Sequence, residues 1–268
     1  MSRYPERIVC LTEETTETLY LLKEDARIVG ISGFTVRPPQ ARREKPKVSA
    51  FTSAKLDKIA ALKPDLVLGF SDLQADIAAE LVKLGIEVHV FNHRTVADIF
   101  RMISMLGGML GCEAKTRRLV EELEAGLERL RTAAARLPRR PRVYFEEWDT
   151  PQISGIAWVS ELIGIAGGAD IFPELARESL AKNRIVADPL EVPRRAPDII
   201  LGSWCGKKFR PKEVAARPGW GEVPAVRNGE LHEIKSSLIL QPGPAALTDG
   251  VNVIHSIFAA WADPGRQG

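Results

Sequence analysis

The sequence predicts an α/β protein of two similar Rossmann-like lobes, each built on a parallel sheet and joined by one long backbone helix. Three observations carry that prediction: a long amphipathic stretch near mid-chain, matched segments on either side of it, and alternation of strand and helix patterns throughout. In residues 113–137, Leu119, Leu123, Leu127, Leu130 and Leu137 recur at the spacing of one helix face, and alanines favour helix elsewhere. At 1.5 Å per residue such a helix is about 37 Å long, enough to cross a small lobe. Pro138 closes it.

The flanking halves repeat one another. Lys63-Pro64-Asp65-Leu66-Val67-Leu68-Gly69 is matched by Ala196-Pro197-Asp198-Ile199-Ile200-Leu201-Gly202, in each case a Pro-Asp followed by a short apolar run. Arg7-Ile8-Val9-Cys10-Leu11 pairs with Arg142-Val143-Tyr144-Phe145, and Gly85-Ile86-Glu87-Val88-His89-Val90 with Gly229-Glu230-Leu231-His232-Glu233-Ile234. Three anchors in one order indicate an internal duplication. The expected boundaries are residues 1–111 for the first lobe, 112–140 for the linking helix and 141–268 for the second lobe.

In the first half, strand 8–11 leads through the polar run Thr12 to Thr16 into a helix over 17–22. Strand 28–32 is followed by a loop, Gly33 to Pro39, long enough to reach a cleft. A short extended segment at 47–50 precedes a helix over 56–62. Strand 66–69 then ends at Phe70-Ser71, and helix 73–84 returns to strand 87–91, whose exit is Asn92-His93-Arg94. The helix over 96–110 is expected to break at Gly107-Gly108. In the second half, strand 142–146 exits into Glu147-Trp148-Asp149-Thr150-Pro151, a helix covers 157–166, and residues 167–185 read as irregular or short-helical. Strand 199–201 exits at Ser203-Trp204, strand 231–234 at Lys235-Ser236-Ser237, and a helix over 245–260 closes the chain. Strands alternating with helices imply parallel sheets, whose ligands meet the loops at the carboxyl ends of the strands.

Composition excludes several classes. The 268 residues are 45% hydrophobic and 27% charged, with a net charge of +2, too small to imply nucleic acid. The basic clusters at 37–47 and 136–142 are broken by Pro and lack interleaved aromatics, as solvated loops do. Cys10, Cys112 and Cys205 form no CxxC and no even framework, which fits a reducing compartment. No apolar h-region follows the charged start and no stretch is long enough to span a membrane, so no membrane insertion is expected. As the sequence stands the expected location is cytoplasmic, and periplasmic if a leader has been removed. A monomer is expected.

No catalytic motif survives inspection. Gly202 to Lys208 is one residue short of a phosphate loop and lacks the Ser or Thr that would ligate magnesium; GxSxG and HExxH are absent. His89 and His232 occupy equivalent strand positions, as structural residues would, and His255 falls in the last helix. Only His93 lies on a strand exit, and one histidine makes no metal site. The chain is therefore expected to bind rather than to catalyse. The strand exits are aromatic instead: Phe34, Phe51 and Phe70 in the first half, Trp148 and Trp204 in the second. Together they suggest a large, flat, partly apolar ligand in a cleft between the lobes.

The segments Arg7-Ile8-Val9, Thr16-Glu17-Thr18-Leu19, Gly30-Ile31-Ser32, Leu62 to Val67, Leu84-Gly85-Ile86 and Ala196 to Ile200 resemble the substrate-binding proteins of iron-siderophore, haem and cobalamin ABC importers. This is the class III, helical-backbone group, and the resemblance covers about residues 3–261. Gly30-Ile31-Ser32-Gly33-Phe34 followed by Pro38-Pro39-Gln40-Ala41 is most similar to the cobalamin-binding members. The resemblance implies reversible binding of a cobalamin-like corrinoid, without chemistry. Its implied ligand contacts are Phe34, Phe51, Phe70, His93, Trp148, Trp204 and Ser236. A siderophore or haem is the alternative cargo, and an ABC permease the implied partner. Three positions depart from the group. Asn183 stands where a corrin-contacting tryptophan is expected, and the two permease-docking glutamates correspond to Asp57 and Leu190, with Glu191 displaced by one.

Overall fold

A computed structural model describes residues 3–266 and divides the chain into two units. The first runs through His93 and includes Ala97–Leu123; the second takes Arg94–Val96 and everything from Glu124 onward. The division falls in the middle of a helix, not on either side of it.

In the first unit the strands are β1 (Ile8–Cys10), β2 (Ile28–Ser32), β3 (Lys47–Ser49), β4 (Leu66–Phe70) and β5 (Val88–Phe91). They form one parallel sheet in the order β3-β2-β1-β4-β5. The helices are α1 (Glu13–Leu21), α2 (Pro39–Glu44), α3 (Leu56–Ala61), α4 (Ala75–Lys83) and α5 (Val96–Leu110). Then α6 (Glu113–Ala134) continues into the second unit. Val9, Leu11, Val48, Ile59, Val67, Ile77 and Leu81 pack as one core between sheet and helices.

Two expectations change here. Helix α1 starts at Glu13, not Glu17, so the polar run meant to precede it is its buried first turn. Helix α5 runs unbroken through Gly107, where a Cβ would lie 2.2 Å from Thr116 Oγ1 on α6. That glycine serves close helix approach rather than a break. The long helix α6 has 22 residues, so it is about 33 Å long, slightly shorter than expected.

In the second unit β6 (Arg142–Asp149), β9 (Ile199–Gly202) and β10 (Leu231–Glu233) are parallel, in the order β10-β9-β6. The start of β6 pairs with β8 (Ala169–Asp170), and its end pairs antiparallel with β7 (Gln152–Ser154). The expected all-parallel sheet is therefore mixed. Strand β6 continues three residues beyond Glu146 into a hairpin, which places Trp148 on a strand and not on an exit loop. The helices are α7 (Ala157–Ile165), α8 (Pro173–Ala176), α9 (Glu191–Arg195), α10 (Pro211–Ala215), α11 (Pro224–Arg227), α12 (Ser236–Ile239) and α13 (Val251–Ala262). A wider turn, Ala246–Gly250, precedes α13 where the sequence suggested one continuous helix.

The duplication is visible in the ladders. β5-β4-β1 and β10-β9-β6 have the same order and direction. The aspartate of each Pro-Asp fixes this register. Asp65 Oδ1 and Oδ2 accept from the backbone N–H of Arg7 and Glu6 at 2.9 and 2.8 Å, while its own N–H donates to Arg7 O. Asp198 repeats the device on Arg142, accepting at Oδ2 and donating from its N–H, both at 2.8 Å. The residues before the two prolines, Lys63 and Ala196, both take left-handed φ, 47° and 41°, a conformation that costs a side-chain-bearing residue about 1–2 kcal/mol. Asp65→Ala is expected to lower stability by about 2 kcal/mol, the range of a charged hydrogen bond. Denaturant titration checks this, and Asp65→Asn should lose less than Asp65→Ala.

Candidate functional site

The carboxyl edge of each sheet is described separately. In the first unit, β1 leads into α1, whose first two turns bury Glu13, Glu14 and Glu17. Thr12 Oγ1 donates to Glu14 Oε1 at 2.6 Å, and Arg37 Nε donates to Glu17 Oε1 at 2.8 Å. Burial, with Glu14 and Glu17 nearby, pushes the Glu13 carboxyl up to about 8, which Arg42 only partly offsets. Burial raises Glu14 to about 7. Near neutral pH this edge therefore holds carboxyl protons as well as carboxylates, so it can both donate and accept hydrogen bonds.

Arg42 also shapes the loop above. Its Nη1 donates to Gly33 O at 2.5 Å and Thr35 O at 3.3 Å, the carbonyls on either side of Phe34. Phe34 is thereby turned outward and is 56% exposed. Phe51 is half-buried at the exit of β3. Phe70 differs from the expectation of a ligand-facing ring. It is 7% exposed and lies edge-on to His93, centroids 4.9 Å apart. His93 is buried as well and also packs edge-on against Phe91. These rings form an edge-to-face cluster where the end of β4 pairs with the end of β5 at Phe70 and Phe91.

In the second unit the edge is organised by Glu146, which is fully buried on β6. Arg217 grips both its oxygens at 2.6 and 2.9 Å, Trp204 Nε1 donates at 3.1 Å and Tyr144 Oη at 3.2 Å. Burial and the adjacent Glu146 push the Tyr144 phenol well above its ordinary value, so it remains a donor. Trp204 is consequently 4% exposed, with its ring edge-on to Phe209. The ring expected to face a ligand is thus turned inward in this structure, its indole N–H committed to a buried carboxylate.

Trp148 is half-buried, and its Nε1 donates to Thr150 O at 3.0 Å. Lys207 places its ammonium 4.4 Å from the Trp148 ring centroid and 4.9 Å from that of Trp204, while Asp149 Oδ1 holds it at 2.5 Å. The hairpin carrying Trp148 is braced by Arg184, a buried residue the sequence did not single out. It makes a bidentate pair with Glu147 at 2.6 and 3.0 Å and donates to Ser154 O. Neighbouring Asn183 is exposed, and Ser236 is half-buried at the start of α12.

The remaining histidines behave as structural residues. His89 lies edge-on to Phe91, His232 Nε2 meets Glu230 at 2.8 Å, and His255 Nδ1 meets Ala166 O at 3.0 Å. Among the described residues no group of His, Cys, Asp or Glu could hold a metal ion, and no helix is long and apolar enough to cross a membrane. At the positions compared with docking carboxylates, Asp57 is exposed in the first turn of α3, and Leu190 is 43% exposed. Glu191 is held by its own helix, at 2.9 Å from Arg195 Nε and 3.2 Å from Arg194 Nη1, and these bonds keep its carboxyl below the usual range.

The model of a family described as periplasmic binding protein matches residues 8–238. The chain is 23% identical over 272 aligned residues to an uncharacterized ABC transporter substrate-binding lipoprotein of Bacillus subtilis, covering 96% of this chain and 82% of that one. It is 25% identical over 256 residues to the vitamin B12-binding protein of Vibrio parahaemolyticus, covering 92% and 88%. The apo structure of the periplasmic heme-binding protein RhuT from Roseiflexus superposes with a TM-score of 0.81 at 21% identity, covering 96% and 99%. At that identity the likeness is one of fold.

Two outcomes follow from the buried charges. The folded chain keeps a proton on Glu13 up to about pH 8, whereas a free carboxyl loses it near 4.5. Stability therefore falls as pH rises between those values. Glu13→Gln should unfold at a higher temperature than the wild type at pH 8 and match it near pH 4.5, measured by thermal melts across that range. Arg217→Leu should cost about 3–5 kcal/mol by leaving Glu146 charged and unpaired. Denaturant titration reads this, and Glu146→Gln in the same chain should recover part of the loss.

Proposed function

Because the chain belongs to the periplasmic binding protein family, we propose that it is a substrate-binding protein of the ABC-importer type whose cargo is a cobalamin-like corrinoid, held reversibly and without covalent chemistry. The observation that carries the reading is the set of rings left available at the carboxyl edges. Phe34 stands outward, and Phe51 and Trp148 are half-buried, while Phe70 and Trp204 are committed to their own cores. Flat macrocycles are recognised by such rings plus a few polar groups. The vitamin B12-binding relative supports the same cargo class.

Haem or siderophore cargo remains the second reading, supported by the range of ligands that this fold carries.

The partner consistent with the family is an ABC permease. Asp57 keeps a carboxylate available on α3, but Leu190 offers none on the second unit, and Glu191 is occupied by Arg194 and Arg195. Leaving a partner's arginine without its carboxylate typically costs about 2–5 kcal/mol. That departure bears on how tightly such a permease would hold the chain; a corrinoid carrier or store inside the cell is the alternative role, and cell fractionation separates the two.

Calorimetry and visible absorption with cyanocobalamin, cobinamide, haem and ferric siderophores test the cargo. The corrinoids are expected to bind most tightly, and a tighter haem or siderophore would replace the reading. Phe34→Ala, Phe51→Ala and Trp148→Ala should each weaken the corrinoid by about 1–3 kcal/mol.

A further inference from the structure

One buried polar side chain ties the first-unit edge together and lies outside every ligand contact named above. Gln74 is 0% exposed, and its carboxamide reaches three different strand exits. Oε1 accepts the Phe70 N–H at 2.9 Å, at the end of β4. Nε2 donates to Phe51 O at 2.8 Å, just past β3, and to Leu11 O at 3.5 Å, just past β1. A carboxamide is the one neutral side-chain group able to accept at one atom and donate twice at the next.

The surrounding backbone is built to deliver this group. Ser71 takes φ 63°, a left-handed conformation costly for a residue with a side chain. It is pinned there by its N–H on Phe91 O at 2.7 Å and by its Oγ, which accepts the Leu73 N–H at 3.2 Å. The short turn Asp72–Gln74 that follows swings Gln74 back beneath the sheet edge. Gly69 leaves the necessary room, since a Cβ there would lie 3.0 Å from Gln74 Oε1.

We propose that Gln74 is a positioning residue for ligand recognition: by clamping the Phe51 carbonyl to the ends of β1 and β4, it sets the pose of the Phe51 ring. The proposal rests on the corrinoid reading given above. Without the clamp, the segment after β3 rests on local bonds such as Ala50 N–H to Ser53 O and Lys55 N–H to Val48 O. The Phe51 ring would then have to be ordered when ligand binds, at a cost to affinity.

A double-mutant cycle with cyanocobalamin tests it by titration calorimetry on wild type, Gln74→Met, Phe51→Ala and the combined variant. Gln74→Met should weaken binding by about three- to tenfold in the wild-type background and by less than about twofold when Phe51 is already Ala. Equal losses in both backgrounds, or no loss in either, overturn the proposal. Should Gln74→Met fail to fold, Gln74→Glu provides the reading. It keeps the acceptor for Phe70 and loses the donor to Phe51 when ionised, so its affinity should recover on acidification more than that of the wild type. A parallel pH profile for the two proteins overturns the proposal equally. If the wild type takes up no corrinoid, or Phe51→Ala changes nothing, the functional reading itself falls and the positioning role goes with it. If both behave as expected, the Gln74 comparison judges the clamp alone.

Discussion

One aspartate per half sets the register of both sheets. Asp65 and Asp198 each hold the start of the first strand of their unit through a reciprocal backbone and side-chain exchange. Once that strand is fixed against its neighbour, the parallel ladder places the carboxyl ends of the parallel strands of each sheet on one edge of that sheet. A slip of one residue would turn each buried side chain outward and scatter the edge residues. The left-handed residues before both prolines show what the device demands, since neither Lys63 nor Ala196 is a glycine.

The legible parts of this chain are those whose causes are local. The apolar runs after each Pro-Asp, the leucine spacing of α6 and the alternation of strand and helix all sit within short windows. The hairpin of β6 and β7 was hidden because Thr150-Pro151 reads as an exit, when it is the turn between two paired strands. Buried Trp204 could not be told from an exposed one. Its partner Glu146 lies 58 residues away, and Arg217, which neutralises that carboxylate, lies 71 from it. Gln74 was equally silent, as its partners at Leu11 and Phe51 are 63 and 23 residues distant. The polar run Thr12 to Thr16 reads as a lead-in to a helix over 17–22, yet from Glu13 it is buried helix.

The two edges solve the same problem with opposite chemistry. The first keeps clustered carboxyls under cover by letting protons stay on them, with Arg37 and Arg42 as partial counterweights. The second keeps one full ion pair, Glu146 with Arg217, and satisfies the remaining lone pairs with an indole and a phenol. The first edge therefore responds to pH through Glu13 and Glu14.

Lys207 gives Trp148 two unequal sides. With its ammonium seated against the indole and anchored by Asp149, one π-face of that ring is already taken by the protein's own cation. The same ring also packs against the core cluster that includes Tyr144 and Trp204, so its position is fixed before any guest arrives. An electron-poor guest must also bargain with a ring whose density is already drawn toward a positive neighbour, which makes this indole a discriminating surface rather than a merely greasy one.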